Sequence, residues 1–377
     1  MTSRLLRRGD AGNDVVELKR RLTATGSVSD PQTADDVFDE ACDSAVRHFQ
    51  QSRGLTVDGI VGTGTWNSLE EAAWQLGDRI LDVASPLLRG DDVTVLQHRL
   101  LQLGFAVGRV DGFFGPVTSA ALAEFQSNMG LPADGVAGPS MFKALERLSP
   151  VVSGGRADAL RDQERLREAG PRLAGKLVVI DPSRGGDDPG AQVNGRTEAE
   201  VMFSLATTLA DRLAEAGVGT LLTRDRGSNP ASRERAQFAN SHHADVLLSL
   251  HVDRTDSPAA NGVATYFYGS DWHPVRSVVG EQLAELINKE ICARTRMGNN
   301  RSHPKSWDLL RFTAMAAVQI DLGYLGNAGD AGRLAEPQFL DSVAEAIVVA
   351  IQRLYLAGDD DAKTGYLTLG MLGRAGG

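Results

Sequence analysis

The chain has few cysteines, no long apolar run and no excess of basic residues, and each of these absences excludes a class of protein. Cys42 and Cys292 are the only cysteines in 377 residues. A disulfide framework is therefore not expected, and a reducing compartment is favoured. The formal net charge is -10, which argues against non-specific binding to nucleic acid or anionic lipid. No run of 18 or more apolar residues occurs, so no membrane span is expected.

The first residues also lack the pattern of a secretory signal. They read Met-Thr-Ser-Arg-Leu-Leu-Arg-Arg-Gly-Asp, which has a basic start but neither an apolar core nor a small-residue cleavage site. We therefore expect a cytoplasmic protein. A phage lysin released by a separate hole-forming protein would have the same kind of N-terminus, so that alternative stays open.

An internal repeat dominates the first 150 residues. Its first part has Val, Leu and Leu at positions i, i+3 and i+7, a spacing that predicts an amphipathic helix. The matched segments are 12–22 with 90–100, Phe49-Gln50 with Phe125-Gln126, and Asp58-Gly59 with Asp134-Gly135. The repeat predicts two small three-helix units, over residues 4–74 and 82–148.

These repeats resemble the peptidoglycan-binding domain type 1 family. The Phe-Gln pair, the Asp-Gly turn after it and a later glycine at positions 62 and 138 are the marks of that family, and they cover nearly all of both units. The resemblance implies a groove for a glycan strand or a stem peptide. Helix faces and glycine turns require many of the same residues, so a structural role suits most of these marks.

The remainder of the chain alternates strand and helix patterns, which predicts an α/β domain with a mostly parallel sheet. We predict a linker over 149–175, the α/β domain over 176–357 and a disordered regulatory tail over 358–377. The predicted strands are 176–181, 218–223, 245–251, 262–268 and 316–322; the predicted helices are 198–216, 231–241, 273–293 and 333–355; residues 294–308 are predicted as a loop. The fold class is multidomain, with two all-α units ahead of the α/β domain.

Polar residues collect where the predicted strands end. Arg184 follows the first strand, Glu198 opens the next helix, His251 ends the third strand and Asp321 lies in the fifth. The carboxyl ends of parallel strands meet at one edge of a sheet. Carboxylates and imidazoles gathered there are the groups that a hydrolytic metal site uses.

With these residues the domain resembles the zinc-dependent N-acetylmuramoyl-L-alanine amidases of the amidase type 3 family, over about 175–355. In that family a His, a Glu and a second His bind zinc, and another Glu is the catalytic base. Glu198 and His251 match the second and third ligands. Arg184 stands where the first His belongs, and Asp321 stands at the position of the catalytic Glu.

Two further residues match family positions, Arg224 after the second strand and Asn327 after the fifth. The resemblance allows a ligand-binding role for both. An anchoring role for the loops in which they lie is equally expected.

The arginine at position 184 changes the expected chemistry. Arginine stays protonated and has no lone pair for a metal. Two unit charges about 4 Å apart repel by roughly 4 kcal/mol at an effective dielectric of about 20, and zinc carries two charges. We therefore expect no metal cofactor, with Arg184 paired to Glu198 or to Glu198 and Asp321 together. The alternative is that Arg184 points to solvent from its glycine-rich loop. His303, in the predicted loop, is the one other histidine placed to restore a ligand.

The change from Glu to Asp at position 321 is a second departure. It retracts the carboxylate by one methylene, and a misplacement of about 1 Å can cost roughly 100-fold in rate. We therefore expect Asp321 to be a degenerate form of the catalytic position.

The whole architecture resembles the actinobacterial CwlM group of amidase-like proteins, which implies a cytoplasmic regulator of peptidoglycan precursor synthesis. The partners that the resemblance implies are the enolpyruvyl transferase MurA, a Ser/Thr kinase of the PknB type, and a precursor flippase or a forkhead-associated adaptor, with a muropeptide or precursor as ligand. Thr364 and Thr368 in the tail are the candidate phosphorylation sites. Two alternatives stay open: a zinc amidase (cell-wall hydrolase or endolysin) that cleaves the muramoyl–L-alanine amide with Zn²⁺ as cofactor, and a wall-binding module.

Overall fold

The structure is a computed structural model that describes residues 5–26, 36–148, 163–164, 166, 168–193, 195–253, 259–272 and 275–356. The chain divides into two compact units. One consists of residues 1–160 with 270–275, and the other consists of residues 161–269 with 276–377. No helix within the described ranges combines the length and the apolar character needed to cross a bilayer.

The described part of the first unit is helical, as the repeat predicts. Its helices are α1 (Asn13–Ala24), α2 (Glu40–Ser52), α3 (Thr63–Glu71), α4 (Asp91–Gln102), α5 (Pro116–Asn128) and α6 (Pro139–Arg147). The stripe of Val15, Leu18 and Leu22 on α1 is fully buried and packs with Phe49 of α2. Burial of this stripe is what orients α1, because an amphipathic helix gains stability mainly from its packed face.

The Phe-Gln and Asp-Gly motifs of the repeat meet in space. The Gln50 amide donates to Asp58 Oδ1 and to the Ile60 carbonyl, both at 2.9 Å, and its oxygen accepts from the Gly59 N–H at 2.9 Å. Gly59 has φ +72, and a side chain there would collide with Asp43. The motif therefore has the structural role of joining a helix to the turn that follows it.

The same glutamine–turn contact occurs twice more in the second repeat. The matching hydrogen bonds join Gln126 to Asp134, Gly135 and Val136, and Gln97 to Asp111, Gly112 and Phe113. The contact of Gln97 was not predicted from the sequence. Its glutamine and its Asp-Gly turn are separated by 14 positions, a wider spacing than in the other two pairs.

A six-stranded sheet forms the centre of the second unit. Its strands are β1 (Leu177–Pro182), β4 (Gly219–Leu222), β5 (Val246–Asp253), β6 (Val263–Tyr268), β7 (Asn299–Lys305) and β8 (Ala316–Tyr324), and they lie in the order β4-β1-β5-β8-β6-β7. A separate two-stranded sheet consists of β2 (Gln192–Val193) and β3 (Arg196–Thr197). All pairings in the large sheet are parallel except that of β6 with β8. The mostly parallel sheet is thus confirmed.

The helices of this unit are α7 (Glu198–Glu215), α8 (Ser232–Ser241), α9 (Val278–Thr295), α10 (Asp308–Phe312), α11 (Ala328–Leu334) and α12 (Pro337–Leu356). Apolar residues of α7, α9 and α12 pack in one cluster with alternate residues of the strands, such as Ile180, Leu248 and Ile320. That face of the sheet is the core. The polar residues singled out from the sequence alternate with these strand residues, so they point to the opposite face.

The predicted loop 294–308 and the predicted helix 333–355 differ from the structure. The predicted loop 294–308 contains β7, an edge strand whose polar sequence gives no apolar alternation because only one of its edges is paired. The same segment ends at the start of the short helix α10. The predicted closing helix 333–355 is two helices, because Pro337 begins a new helix at its N-terminus.

The glutamine–turn contacts predict a measurable effect on stability. Gln50→Ala should lower the free energy of unfolding of the first repeat by about 1–3 kcal/mol, since it leaves buried polar groups unsatisfied. Gln51→Ala is the matched control, because Gln51 is exposed on the same helix. Hydrogen exchange of peptides from α2 and from residues 55–65, followed by mass spectrometry, measures both variants. Equal protection in the two variants would contradict the structural role of Gln50.

Candidate functional site: an amidase-type centre with an arginine at its first ligand position

The loop after β1 brings Arg184 to the edge of the sheet. Arg184 has φ 62, a left-handed conformation that is uncommon for a residue other than glycine. Two buried arginines hold this loop. Arg235 donates to the carbonyls of Pro182 (3.0 Å) and Arg184 (3.3 Å), and Arg224 donates to those of Pro182 and Ser183, both at 2.8 Å. The unusual conformation at 184 is thus fixed by contacts from two other elements.

Arg184 forms an ion pair with Glu198. Its Nε lies 3.3 Å from Glu198 Oε2, and its NH1 lies 3.1 Å from Asp188 Oδ2. Glu198 is only 2% exposed, and its other oxygen accepts from Ser183 Oγ at 2.8 Å. The expected pairing of Arg184 with Glu198 is therefore present. Within the described ranges the second acidic partner is Asp188 rather than Asp321, and Glu198 is contacted through Nε alone.

The charges of this pair support each other. Burial opposes the charge of Arg184, but Glu198 and Asp188 outweigh that effect and raise its pKa. Only one partner is buried, since the Arg184 side chain is 47% exposed and that of Glu198 is 2% exposed. Removing the arginine would leave the desolvated Glu198 carboxylate without its compensating charge, which is costly. The guanidinium and the Glu198 carboxylate therefore act as one unit at this edge of the sheet.

A buried hydrogen-bond network positions His251. The Asp181 carboxylate accepts from Arg235 NH1 and from Ser249 Oγ, both at 2.6 Å, and Ser249 Oγ lies 3.0 Å from His251 Nε2. Since the single hydroxyl proton of Ser249 goes to Asp181, Nε2 of His251 must be the donor. The lone pair of the ring is then on Nδ1. Burial lowers the pKa of His251, with Asp181 and Glu198 opposing the shift, so the ring is neutral.

Asp321 lies on β8 directly beside His251 in the sheet register. The carboxyl group is 8% exposed, and Gln319 donates to its Oδ1 at 2.8 Å. Burial raises its pKa to about 7 against the effect of that hydrogen bond, and the negative charges of Asp253 and Glu198 add to the increase. Near neutral pH the Asp321 side chain is therefore protonated about as often as it is ionised.

The structure gives Arg224 and Asn327 anchoring contacts. Arg224 is 5% exposed and binds main-chain carbonyls, as described above. Asn327 caps α11, since its side-chain oxygen accepts from the N–H groups of Gly329 (3.0 Å) and Asp330 (3.1 Å). Sequence reasoning missed Arg235. The available signal was an arginine on the same side of a predicted helix as Ala236 and Ala239, which are both buried.

His303 is engaged elsewhere. It lies on β7, where its Nε2 is 2.7 Å from the Asn300 carbonyl. No group of three or more His, Cys, Asp or Glu side chains with a metal-holding arrangement occurs among the residues that the structure describes. Thr364, Thr368 and the whole of 358–377 lie outside those residues, as does most of the predicted linker.

The residues at this edge do not fit a zinc ion held by three protein ligands. His251 presents a neutral ring with a lone pair on Nδ1, and Glu198 presents a carboxylate. The third position presents the guanidinium of Arg184, which is a donor only. The Glu198 carboxylate is moreover occupied by Ser183 and Arg184.

Comparison with known proteins identifies the family to which the chain belongs. A family model of N-acetylmuramoyl-L-alanine amidases matches residues 178–353, and a model of a peptidoglycan binding domain matches residues 11–69 and 89–145. Together with the full-length relative described next, these matches show that the chain belongs to the N-acetylmuramoyl-L-alanine amidase family, with peptidoglycan-binding domains ahead of an amidase-fold domain.

Individual relatives show which group within this family the chain resembles. The chain is 44% identical to the N-acetylmuramoyl-L-alanine amidase CwlM of Mycobacterium tuberculosis, over 97% of this chain and 93% of that protein. The expected resemblance to the CwlM group is thereby confirmed. The amidase LytC of Bacillus subtilis is 29% identical over 46% of this chain and 34% of its own length. A solved amidase from Clostridium difficile has 24% identity and a TM-score of 0.46, covering 49% of this chain and 100% of that one.

Asp321 should make the stability of the second unit depend on pH. Its pKa is about 7 in the folded chain and about 3.9 in an unfolded one, so folding takes up a proton between these values. The resulting stabilisation is complete below pH of about 4 and is lost as the pH rises to about 7, by roughly 4 kcal/mol. Asp321→Asn should remove this decline.

Unfolding in urea, followed by hydrogen exchange of β8 peptides between pH 5 and pH 8, measures the effect. Asp308→Asn is the control, because Asp308 is an exposed acid at the start of α10, and it should keep the wild-type slope. A decline that persists in Asp321→Asn would show that another group titrates.

Proposed function

We propose that this amidase-fold protein does not hydrolyse peptidoglycan and instead regulates peptidoglycan precursor synthesis by binding. The observation that carries the proposal is the ion pair of Arg184 with the buried Glu198. It puts a permanent positive charge beside the carboxylate that a zinc amidase needs for its metal. A binding role for a muropeptide or precursor is supported by the match of both repeats to peptidoglycan-binding domains.

Two features of the site argue against hydrolysis independently. Arg184 takes the place of one of the three protein ligands that zinc needs, so the site is not suited to activate water through a metal. The Asp321 carboxyl group, with a pKa of about 7, would still be a usable general base in its charged form, but it is one methylene shorter than the glutamate of the active family. The first feature leaves no activated water to attack the amide. The second moves the general base, Asp321, away from that water.

The active zinc amidase remains the second candidate, favoured by one observation. Glu198 and His251 keep both their residue types and their support from Ser183 and Ser249, and relatives such as LytC bear the name of amidases. A site that had simply decayed would have no reason to keep this hydrogen bonding. In the regulator these bonds instead keep the Arg184 pair and the sheet edge rigid.

Metal content separates the two candidates. We expect the purified full-length chain to contain far less than one zinc per molecule by elemental mass spectrometry, and to leave muropeptides uncleaved. Arg184→His is the informative variant, because it restores a third neutral donor and removes the opposing charge, so its zinc content should rise. Arg226→His is a control outside the ion pair and should stay low in zinc. Near-stoichiometric zinc in the wild-type chain, with amide cleavage that a chelator abolishes, would refute the proposal.

The regulatory part of the proposal concerns partners. We propose the enolpyruvyl transferase MurA as the partner and a PknB-type kinase as the modifying enzyme, in the cytoplasm, with Thr364 and Thr368 as the modified residues. A phosphothreonine carries nearly two negative charges, which arginines of a partner can bind. The precursor flippase and a forkhead-associated adaptor are further candidate partners.

The effect of the tail is testable on the full chain. After treatment with the kinase, wild-type protein should bind MurA in calorimetry, and the double variant Thr364→Ala, Thr368→Ala should lose that binding. Thr56→Ala, an exposed threonine in the first unit, should behave as wild type. Equal binding of phosphorylated wild type and the double variant would show that these threonines are not the switch.

A further inference from the structure

The first unit contains a short segment from outside the repeats. Residues 270–275 belong to it together with residues 1–160, although in the sequence they lie between β6 and α9. The backbone N–H of Ser270 donates to the Val275 carbonyl at 3.2 Å, which holds the two ends of the segment together. A segment closed in this way has lost part of its conformational freedom before it binds anything, and this favours binding.

Two hydrogen bonds join this segment to the end of α2. The Trp272 N–H (3.1 Å) and the Ser270 hydroxyl (3.2 Å) both donate to the Ser52 carbonyl. Ser52 is the last residue of α2, and the last carbonyls of a helix have no partner within the helix. The segment therefore supplies donors to a carbonyl that would otherwise depend on water.

The Trp272 side chain covers an ion pair that joins the two repeats. Arg53, directly after α2, donates from NH1 and NH2 to the two carboxylate oxygens of Asp91, the first residue of α4, both at 2.8 Å. The guanidinium carbon lies 4.4 Å from the centre of the Trp272 ring, and the indole Nε1 donates to Asp91 Oδ2 at 3.0 Å. The Arg53 side chain is 6% exposed and that of Asp91 is 15% exposed. Trp272 thus contacts one charge from each repeat.

The charged residues of this junction are not ones that the repeat fold requires. In the aligned repeats Arg53 corresponds to Met129, and Asp91 corresponds to Asn13. Methionine has no donor and asparagine carries no charge, so neither residue could form this ion pair. The junction is therefore a feature of these two repeats in this order, and it is separate from the glutamine–turn contacts that both repeats share.

The contacts at the junction are of the kind that recognise a tryptophan. An indole offers a ring face to a cation and one N–H to an acceptor. Arg53 supplies the cation, Asp91 supplies the acceptor, and their ion pair holds both side chains in place. A phenylalanine in this position would lose the hydrogen bond, and an alanine would lose both contacts.

We propose that the junction of the two repeats is a peptide-binding site and that residues 270–272 are its intramolecular ligand. The site takes a short peptide that has a serine two positions before a tryptophan, the spacing of Ser270 and Trp272. Because the ligand belongs to the same chain, its effective concentration is on the order of millimolar. A partner that presents a peptide of the same kind would compete with the segment. This inference goes beyond the proposed function and does not depend on it.

Hydrogen exchange of the full-length chain, followed by mass spectrometry, tests whether the segment is bound. Trp272→Ala should make residues 48–56 and 88–96 exchange about tenfold faster, the effect of losing one hydrogen bond to a charged group. Trp272→Phe keeps a ring without the donor and should give an intermediate rate. Trp74→Ala is the matched control, because Trp74 is 38% exposed against 44% for Trp272, and Arg79 lies 4.3 Å from its ring. It should leave residues 48–56 at the wild-type rate.

A peptide added in trans distinguishes a binding site from a contact that is only structural. The probe is a synthetic peptide of residues 269–276, Gly-Ser-Asp-Trp-His-Pro-Val-Arg. In calorimetry it should bind the full-length Trp272→Ala chain, and it should return the exchange of residues 48–56 toward the wild-type rate. Asp91→Asn, added to Trp272→Ala, should weaken this binding about tenfold or more. The same peptide with alanine in place of its tryptophan should not bind.

Three outcomes would overturn the peptide site. They are wild-type exchange of residues 48–56 in Trp272→Ala, no binding of the probe to Trp272→Ala at millimolar concentration, and equal binding of the peptide that lacks the tryptophan. Circular dichroism checks that each variant is folded. Zinc content and the binding of partners through the tail do not enter these measurements. Failure of the peptide site is therefore distinguishable from failure of the proposed function.

Discussion

The carboxylate of Glu198 is buried at the edge of the sheet, and a buried charge must be compensated. In a zinc amidase the compensation would be a metal ion; in this chain the compensating charge belongs to Arg184. The loop after β1 holds residue 184 in a left-handed conformation, and from there the guanidinium reaches Glu198.

The support around this contact is extensive. Arg224 and Arg235 donate to the carbonyls of Ser183 and Arg184, and Asp181 joins Arg235 to Ser249 and so to His251. Buried polar networks of this kind are stabilising only when every member is satisfied.

The two units show different uses of polar residues. In the repeats, buried glutamines such as Gln50 and Gln126 satisfy turn backbone and so define the fold of each repeat. In the second unit, the polar side chains of the site lie on one face of the sheet, together with buried apolar residues such as Val179 and Leu247, and the other face packs against the apolar cluster of α7, α9 and α12. The repeat residues that mark the family therefore have a structural role.

The sequence by itself determined the helical repeats, the mostly parallel sheet and the four positions at its edge, because these follow from apolar periodicity and from the rule that the carboxyl ends of parallel strands meet. Periodicity gave no signal for β7, whose polar residues are acceptable at a sheet edge, nor for Gln97, whose turn is distant in the chain. Only the tertiary structure decided that Arg184 pairs with Asp188 rather than Asp321, that Arg235 supports the loop, and that Trp307 faces Tyr266. These contacts join residues from separate elements, and their distances depend on how the elements pack.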